Sequence, residues 1–463
     1  MSLFPLQDAK AWKSRGISLN CPSDTACKMF DASVQQYIGW FNDGTLGGLE
    51  GTLRRMLEAD PCFVMGKVLS LGTNLLGTGV SPETDDGVKF ELQELCKLEE
   101  NLGDKTRILS EWEKQHVNAI HLLSEGRFDA ACGEWEDILN LYPRDPVALR
   151  FAHDGHFYLG QSQKMLDSVA GVLPAWPAED PLSGYLKGIY AFGLVETNHF
   201  DEAEKQAKKG LELNPKDGWA THALAHVYEM RAQIQAGLMF MEDTESNWKT
   251  SDMLASHNYW HWSLYLMDEG DYENVLNMYD KEIQPRFTHS GGMLDIVDAC
   301  SLLYRLEIAG VDVSNRWLQL AKVCSSHYGD RVLVFNDLHL LMAALGAHDK
   351  GAQKLISGME EAGQSSAEQA SFYNSPGVPL AHAMVAHSCG QHEDVAAILS
   401  KLYASFGVVG GSGPQRDVFN LIFIKSLLKS EKLKDSSLAR RLINVRLALR
   451  PTSKLNQRLF AAL

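Results

Sequence analysis

The sequence lacks the paired cysteines of a disulfide framework or a thiolate metal site. Its eight cysteines are scattered along the chain, and no two of them form a Cys-x-x-Cys pair. Isolated cysteines of this kind are typical of small core residues in a reducing compartment. We therefore expect a cytoplasmic protein.

Long apolar runs and an excess of positive charge are also missing. No apolar run reaches the roughly 20 residues that cross a bilayer, and the first ten residues show no basic-then-apolar signal pattern. Acidic residues outnumber basic ones by 59 to 43, which gives a formal net charge of −16. This charge opposes phosphate-rich partners and anionic surfaces. The sequence predicts a soluble protein with no nucleic-acid partner and no membrane partner.

An internal repeat organises the chain. A turn residue, an aromatic residue two positions later and a downstream proline recur three times, at Gly126, Phe128 and Pro143, at Asn198, Phe200 and Pro215, and at Gly270, Tyr272 and Pro285. The turn and aromatic positions recur in steps of 72 residues, which corresponds to two units of about 36. Gly or Asn ends one helix in the left-handed conformation, the aromatic begins the next helix, and Pro stops it.

A period near 34 with Gly, an aromatic, Ala and Pro in that order resembles the tetratricopeptide repeat. The fold class predicted is all-α, a right-handed superhelical solenoid of tetratricopeptide-like helix hairpins with helical caps at both ends. We expect a single solenoid over residues 1–463, with an N-terminal cap at 1–45, repeats at 46–415 and a C-terminal helical cap at 416–463.

The whole chain also resembles the tetratricopeptide repeat protein 38 family of intracellular proteins. The likeness is carried by four stretches: SHNYWHW at 256–262, KGIYAFGLVE at 187–196, HDGHFYLG at 153–160 and QRDVFN at 415–420. The resemblance implies the repeat fold. It implies no activity, cofactor or catalytic residue, so the residues themselves must indicate the function.

In a tetratricopeptide-like solenoid, the first helix of each pair lines the concave groove. Polar residues recur on the helices that would occupy this position. The predicted ligand groove consists of His153, Asp154, His156, His222, His226, Glu229, His257, Asn258, Tyr259, His261, Asp298, Arg305, Asp337 and His339. A protein or peptide segment, or a small molecule, would bind there. Arg305 is expected to pair with Asp298 or Glu307.

The stretch from Met253 to Met267 has no charged solvent face, since Leu, Ala, Tyr, Trp and Met surround the helical wheel. We therefore expect this helix to be enclosed or to face a sheltered groove. A buried imidazole without a hydrogen bond costs on the order of 1–3 kcal/mol. His257 and His261 must accordingly meet acceptors, water, a ligand or a metal.

Two His-x-x-x-His pairs, at His222 and His226 and at His257 and His261, suggest a metal site. Imidazoles one helical turn apart can converge on one ion, so these four residues could hold zinc or another divalent metal and activate water for hydrolysis, with Glu229 or an aspartate as oxygen ligand or proton carrier. Sixteen histidines in 463 residues would, however, give about half of one such pair by chance. Neither pair is His-Glu-x-x-His, so the built-in general base of that motif is missing.

Two other glycine-rich stretches mimic catalytic motifs. Gly410-Gly-Ser-Gly-Pro414 has Pro where a nucleophile elbow needs Gly, and a loop capping the helix at Arg416 explains it better. Gly72-Thr-Asn-Leu-Leu-Gly-Thr78 lacks the lysine of a phosphate loop, and we expect an inter-helix turn there.

Two functions of different class remain open. The first is a helical-repeat scaffold that binds a protein segment in its groove. The second is a metal-dependent hydrolase or a small-molecule binder with a His/Asp-lined central pocket. No cofactor is established by a motif. If the four histidines point into one enclosed pocket with their nitrogens within about 5 Å, the small-ligand function gains support. If they point to separate contacts between helices, it loses support.

Overall fold

The computed structural model describes residues 5–101 and 109–463, without the side chains of residues 99–101. The first four residues of the predicted N-terminal cap, and residues 102–108 of the predicted repeats, lie outside the described part. All regular secondary structure within that part is helical, so the all-α prediction is confirmed. None of the described helices combines the length and apolar character that a membrane span requires.

The chain forms two compact units. The first comprises Met1–Ala223 and Asn247–Asp252, and the second comprises Leu224–Ser246 and Met253–Leu463. The boundary falls inside one continuous helix, Gly218–Met230. The predicted division into cap, repeats and cap stays a prediction.

The helices of the first unit form successive hairpins, in which neighbours along the chain pack together. They are α1 (Ala9–Ser14), α2 (Asp24–Gly39), α3 (Gly48–Ala59), α4 (Val64–Leu75), α5 (Asp86–Asn101), α6 (Glu111–Ser124), α7 (Phe128–Leu141), α8 (Pro146–Tyr158), α9 (Ser162–Val172), α10 (Tyr185–Glu196), α11 (Phe200–Leu213) and the first residues of α12 (Gly218–Met230).

The second unit continues the same pattern. Beyond the rest of α12 it contains α13 (Ile234–Trp248), α14 (Asp252–Glu269), α15 (Tyr272–Met278), α16 (Gln284–Ser290), α17 (Met293–Ile308), α18 (Ser314–Cys324), α19 (Val334–Gly346), α20 (Gly351–Gln364), α21 (Ala370–Phe372), α22 (Val378–Ser388), α23 (His392–Leu399), α24 (Gly413–Lys429), α25 (Leu433–Leu449) and α26 (Lys454–Ala461), with the last residues of α13 and the first of α14 assigned to the first unit. Single 3₁₀ or π turns extend several of these helices.

The repeat landmarks lie where the pattern predicts them. The turn residues Gly126, Asn198 and Gly270 have φ values of 74°, 64° and 86°. The aromatic residues Phe128, Phe200 and Tyr272 are the first residues of α7, α11 and α15. The 72-residue step is therefore a repeat of helix hairpins, since the same turn precedes the same helix start three times.

The third proline is an exception. α7 and α11 end two residues before Pro143 and Pro215, but the chain stays helical through Pro285 and ends only at Ser290. A π turn at Tyr279–Ile283 ends two residues before this proline. Pro285 thus lies in the first turn of α16, where a missing amide hydrogen does not interrupt the helix. The prediction that Pro285 stops the helix is wrong.

The two glycine-rich stretches also differ from each other. Ser412 caps α24, and its side chain accepts a hydrogen bond from the amide of Gln415 in a capping box. The capping prediction is confirmed, with the helix starting three residues before Arg416. The predicted turn at 72–78 is mostly helix, because α4 continues to Leu75.

The helices with few charged residues are the ones enclosed in the fold. α14 buries 13 of its 18 residues, and α12, α17 and α19 are buried on nearly every side. The prediction that the helix around residues 253–267 is enclosed is therefore confirmed. Its polar side chains must find their partners inside the protein.

Candidate metal centre

Three histidines meet inside the second unit. His226 on α12 and His261 on α14 have ring centroids 4.3 Å apart, and the centroid of His257 lies 4.8 Å from that of His261. The spacing of four residues places His257 and His261 on one face of α14. None of the three residues is more than 4% exposed.

His222 stands one turn before His226 on the same helix. One ring nitrogen from each of the four histidines lies within 4.8 Å of the other three. The structure thus brings together all four residues that the two His-x-x-x-His pairs nominate. The distance of about 5 Å that forms part of the small-ligand criterion is therefore met.

Two of the rings are oriented by carboxylates from other helices. His257 donates from Nδ1 to Oδ2 of Asp298 on α17 at 2.6 Å, and His261 donates from Nδ1 to Oε2 of Glu229 on α12 at 2.9 Å. A ring that donates through Nδ1 presents its lone pair at Nε2. Carboxylates bound to the outer nitrogen are the usual support of metal-ligating histidines.

A further residue supports Asp298. Gln415 donates from Nε2 to Oδ1 of Asp298 at 3.2 Å, while its Oε1 accepts the backbone amide of Ser412. The sequence analysis missed this role. The Ser412-x-x-Gln415 capping box could have located the glutamine at a helix start, but not its contact with a residue 117 positions away.

Electrostatics favour the neutral form of two of the rings, His226 and His261. Burial, followed by the charge repulsion of neighbouring histidines, holds the pKa of His226 and of His261 well below the ordinary value of 6.5. Burial raises the pKa of Glu229 to about 7, against the opposing influence of Arg450 and Arg305. Neutral imidazoles are the form that binds a metal.

Aromatic packing holds the α14 rings in place. The ring of His257 stacks on Trp260 with centroids 5.2 Å apart and planes inclined by 11°. The guanidinium of Arg305 lies 5.8 Å from the centre of the same indole. His257 is therefore fixed by a stacking partner on its face and by Asp298 at its edge.

Arg305 does not make the predicted ion pair with Asp298 or Glu307. It lies 3.9 Å from Asp417 and donates to the backbone oxygen of Pro414 at 2.5 Å. Glu307 instead accepts from the indole of Trp317. The prediction was wrong because the partners of Arg305 come from α24, which lies more than 100 residues further along the chain.

The predicted residues of α8 form a separate polar cluster in the first unit. Asp154 lies 3.0 Å from Arg150 Nε and accepts the hydroxyl of Tyr37 at 2.8 Å. The Nδ1 atom of His153 is 3.8 Å from Asp154 Oδ1. His156 contacts two side chains, Gln161 and Glu136. These contacts connect α8 with α2, with α7 and with the turn before α9.

Three of the four remaining predicted residues have partners within the second unit. Asp337 accepts the hydroxyl of Tyr373 at 2.9 Å, and His339 donates from Nδ1 to the backbone oxygen of Phe335 at 2.7 Å. Tyr259 donates to Glu245 at 2.6 Å. Asn258 is fully buried. Each of the 14 predicted residues is at least nine-tenths buried, so these side chains face the interior of the fold.

No protein-family model matches the chain. Solved helical proteins show distant likenesses to it. A Rap protein complexed with competence and sporulation factor is 10% identical, with 73% of this chain and 99% of that chain covered and a TM-score of 0.44. Yeast Tom70 is 13% identical, with 80% of this chain and 89% of that chain covered and a TM-score of 0.35. The APC/C hetero-tetramer Cut9–Hcn1 is 11% identical, with 95% of this chain and 84% of that chain covered and a TM-score of 0.41. At these scores the likenesses carry no argument about function.

Proposed function

We propose that this protein binds one zinc ion, or another first-row divalent metal, between α12 and α14. One observation carries the proposal: four buried histidines offer ring nitrogens within 4.8 Å of one another. The carboxylates of Asp298 and Glu229 orient two of these rings. The packing of histidines in a core does not by itself require four ring nitrogens to lie this close to one another.

The spacing suits tetrahedral coordination. Zinc–nitrogen bonds of about 2.0–2.1 Å place the ligand nitrogens roughly 3.3 Å apart. Nitrogens within 4.8 Å of one another therefore reach an ion with small rotations of the side chains. Because His226 and His261 have lowered pKa values, few protons compete with the metal at neutral pH.

The set of four ligands favours a structural metal over a catalytic metal that hydrolyses a substrate. Four histidine ligands close a tetrahedral site, whereas catalytic zinc keeps one position for water. A hydrolase would need one ligand, such as His222 at the start of the set, to stay off the metal. Metal binding by a helical-repeat scaffold is the function supported best.

The other predicted function, binding of a protein segment in the groove, gains no support from these residues. A peptide groove needs its polar side chains open to solvent, and those predicted to line it are buried. The likeness of the sequence to the tetratricopeptide repeat protein 38 family fits the repeat fold and implies no ligand. Rap, the neighbour complexed with competence and sporulation factor, is too distant to extend its ligand to this chain.

Elemental analysis of the full chain, purified without a tag after exposure to zinc, tests the proposal. We expect about one zinc per chain in the wild type, removed by a chelator, and almost none in His226→Ala/His261→Ala. The control His289→Ala/His382→Ala removes two exposed imidazoles and should keep the metal. Equal metal content in all three proteins, or none in the wild type, would refute the site.

A second variant leaves every ligand in place. Asp298→Asn removes the carboxylate behind His257, and we expect zinc affinity to fall by about 10–100-fold. Asp295→Asn, one turn earlier on α17, changes a buried carboxylate that accepts a hydrogen bond from Ser290 instead. A competition titration against a coloured chelator should show unchanged affinity for that control, and equal losses in both variants would contradict the orienting role.

A further inference from the structure

A second site lies in the second unit, beside Glu229. Helices α12, α14, α17, α24 and α26 enclose a cavity of about 160 Å³. This is close to the volume of a protein cavity that holds one benzene ring. Apolar side chains form much of its wall, among them Leu264, Met267, Ile308 and Leu421.

The charges on the wall are unbalanced. Four cations, Arg305, Lys425, Arg450 and Arg458, face three acids, Glu229, Asp268 and Asp417. Every acid is engaged by other groups. Asp417 accepts two contacts from Arg446, which is not part of the wall, Asp268 accepts Ser453 and the amide of Lys454, and Glu229 accepts His261.

Two of the cations are held by the protein. Arg458 donates to the backbone oxygens of Met267 and Asp268 at the end of α14, at 2.7 and 2.9 Å. Arg305 donates to Pro414 and lies near Asp417. Both guanidinium groups are therefore anchored by atoms of the fold.

The other two cations have no such anchor. Within residues 5–101 and 109–463, neither Lys425 nor Arg450 forms an ion pair within 4.0 Å, as Arg305 and Arg446 do with Asp417, although the charge of Arg450 acts at longer range on Glu229 and Asp417. Both side chains are only partly exposed. Burial and the positive charges of Lys429 and Arg458 lower the pKa of Lys425. A partly buried cation without a direct ion pair is costly, and an anion brought into the cavity would relieve that cost.

We infer that this cavity binds a small organic carboxylate, with its anionic end at Lys425 and Arg450 and its apolar body against Leu264, Ile308 and Leu421. The mixed wall excludes a fully polar ion as the best occupant, because phosphate would leave the apolar side unused. The site stands on its own residues and does not require the proposed metal.

Calorimetric titration of the full chain with butyrate tests the inference, with butyramide as the neutral analogue and inorganic phosphate as the second anion. We expect butyrate to bind and butyramide not to bind. The titrations are run on chelator-treated and on zinc-loaded protein, so that a failure of the metal site does not affect the result. Binding of phosphate without butyrate, or equal binding of butyrate and butyramide, would overturn the inference.

Matched variants locate the site. Lys425→Gln and Arg450→Gln should each weaken butyrate binding by at least about tenfold, since a charge-assisted contact is lost. Lys434→Gln and Arg440→Gln on α25 remove the same charges at exposed positions and should bind as the wild type does. Thermal unfolding confirms that all four variants fold. If the controls lose as much affinity as the cavity variants, the effect is one of net charge and the site is refuted.

Discussion

His257 and His261 differ from ordinary core histidines in what each side of the ring contacts. The Nδ1 side of each ring is bound by a carboxylate from another helix, while a nitrogen of each ring belongs to the four-histidine set. His339 shows the ordinary arrangement, since its Nδ1 donates to the backbone one turn earlier on its own helix. At this scale the sequence named the correct residue types but not their partners.

The burial of His339 predicts that this residue makes the stability of the protein depend on pH. Burial lowers its pKa from 6.5 to about 4. A histidine with a lowered folded-state pKa contributes stability that is complete above pH 6.5 and is lost as the pH falls toward 4, because the unfolded chain takes up the proton first. The contribution lost corresponds to about 3 kcal/mol at most.

Denaturant unfolding of wild type and His339→Asn between pH 4 and 8 measures this effect. Asparagine can still donate to Phe335, and all other histidines titrate alike in both proteins. We expect the difference in unfolding free energy between the two proteins to be constant above pH 6.5. Below pH 6.5, the wild type should lose stability relative to His339→Asn. A difference independent of pH would show that His339 is protonated as readily in the folded chain as in the unfolded one.

At the scale of the helices, glycine has two different uses. Gly126 and Gly270 sit at left-handed turns between helices, and the repeat pattern predicts them. Gly72 lies inside α4, where a β-carbon would come within 2.3 Å of the ring of Phe151. The sequence pattern predicts a turn at this glycine, because the close approach of a second helix leaves no signature in the neighbouring residues.

Alanine substitutions separate these effects. Gly72→Ala should destabilise the protein by about 1–3 kcal/mol through overpacking against Phe151, despite the better helix propensity of alanine. Gly133→Ala, in α7 with no atom within 4 Å of its β-carbon position, should stabilise by about 0.5–1 kcal/mol. Thermal and denaturant unfolding give both values, and a stabilised Gly72→Ala would contradict the close packing of α4 on Phe151.

At the scale of the whole molecule, the proposed metal joins two helices that the sequence separates. α12 and α14 are connected through all of α13, so an ion bound to both closes a long loop. Hydrogen exchange with and without zinc should therefore show slower exchange in α12 and α14, and no change in α20. Equal slowing everywhere would indicate general stabilisation, and no slowing would contradict binding at these histidines.

The sequence by itself determined the all-α class, the hairpin turns and the enclosed character of α14, because helix starts, left-handed turns and a missing charged face are local properties of neighbouring residues. It also nominated the four histidines, since residues four apart share a face on any helix. Only the tertiary structure decided that the two pairs meet, that Asp298 and Glu229 orient them, that Arg305 pairs with Asp417, and that Lys425 and Arg450 share a cavity. These contacts join helices distant in sequence, and the packing of apolar faces that sets them is not encoded in any one segment.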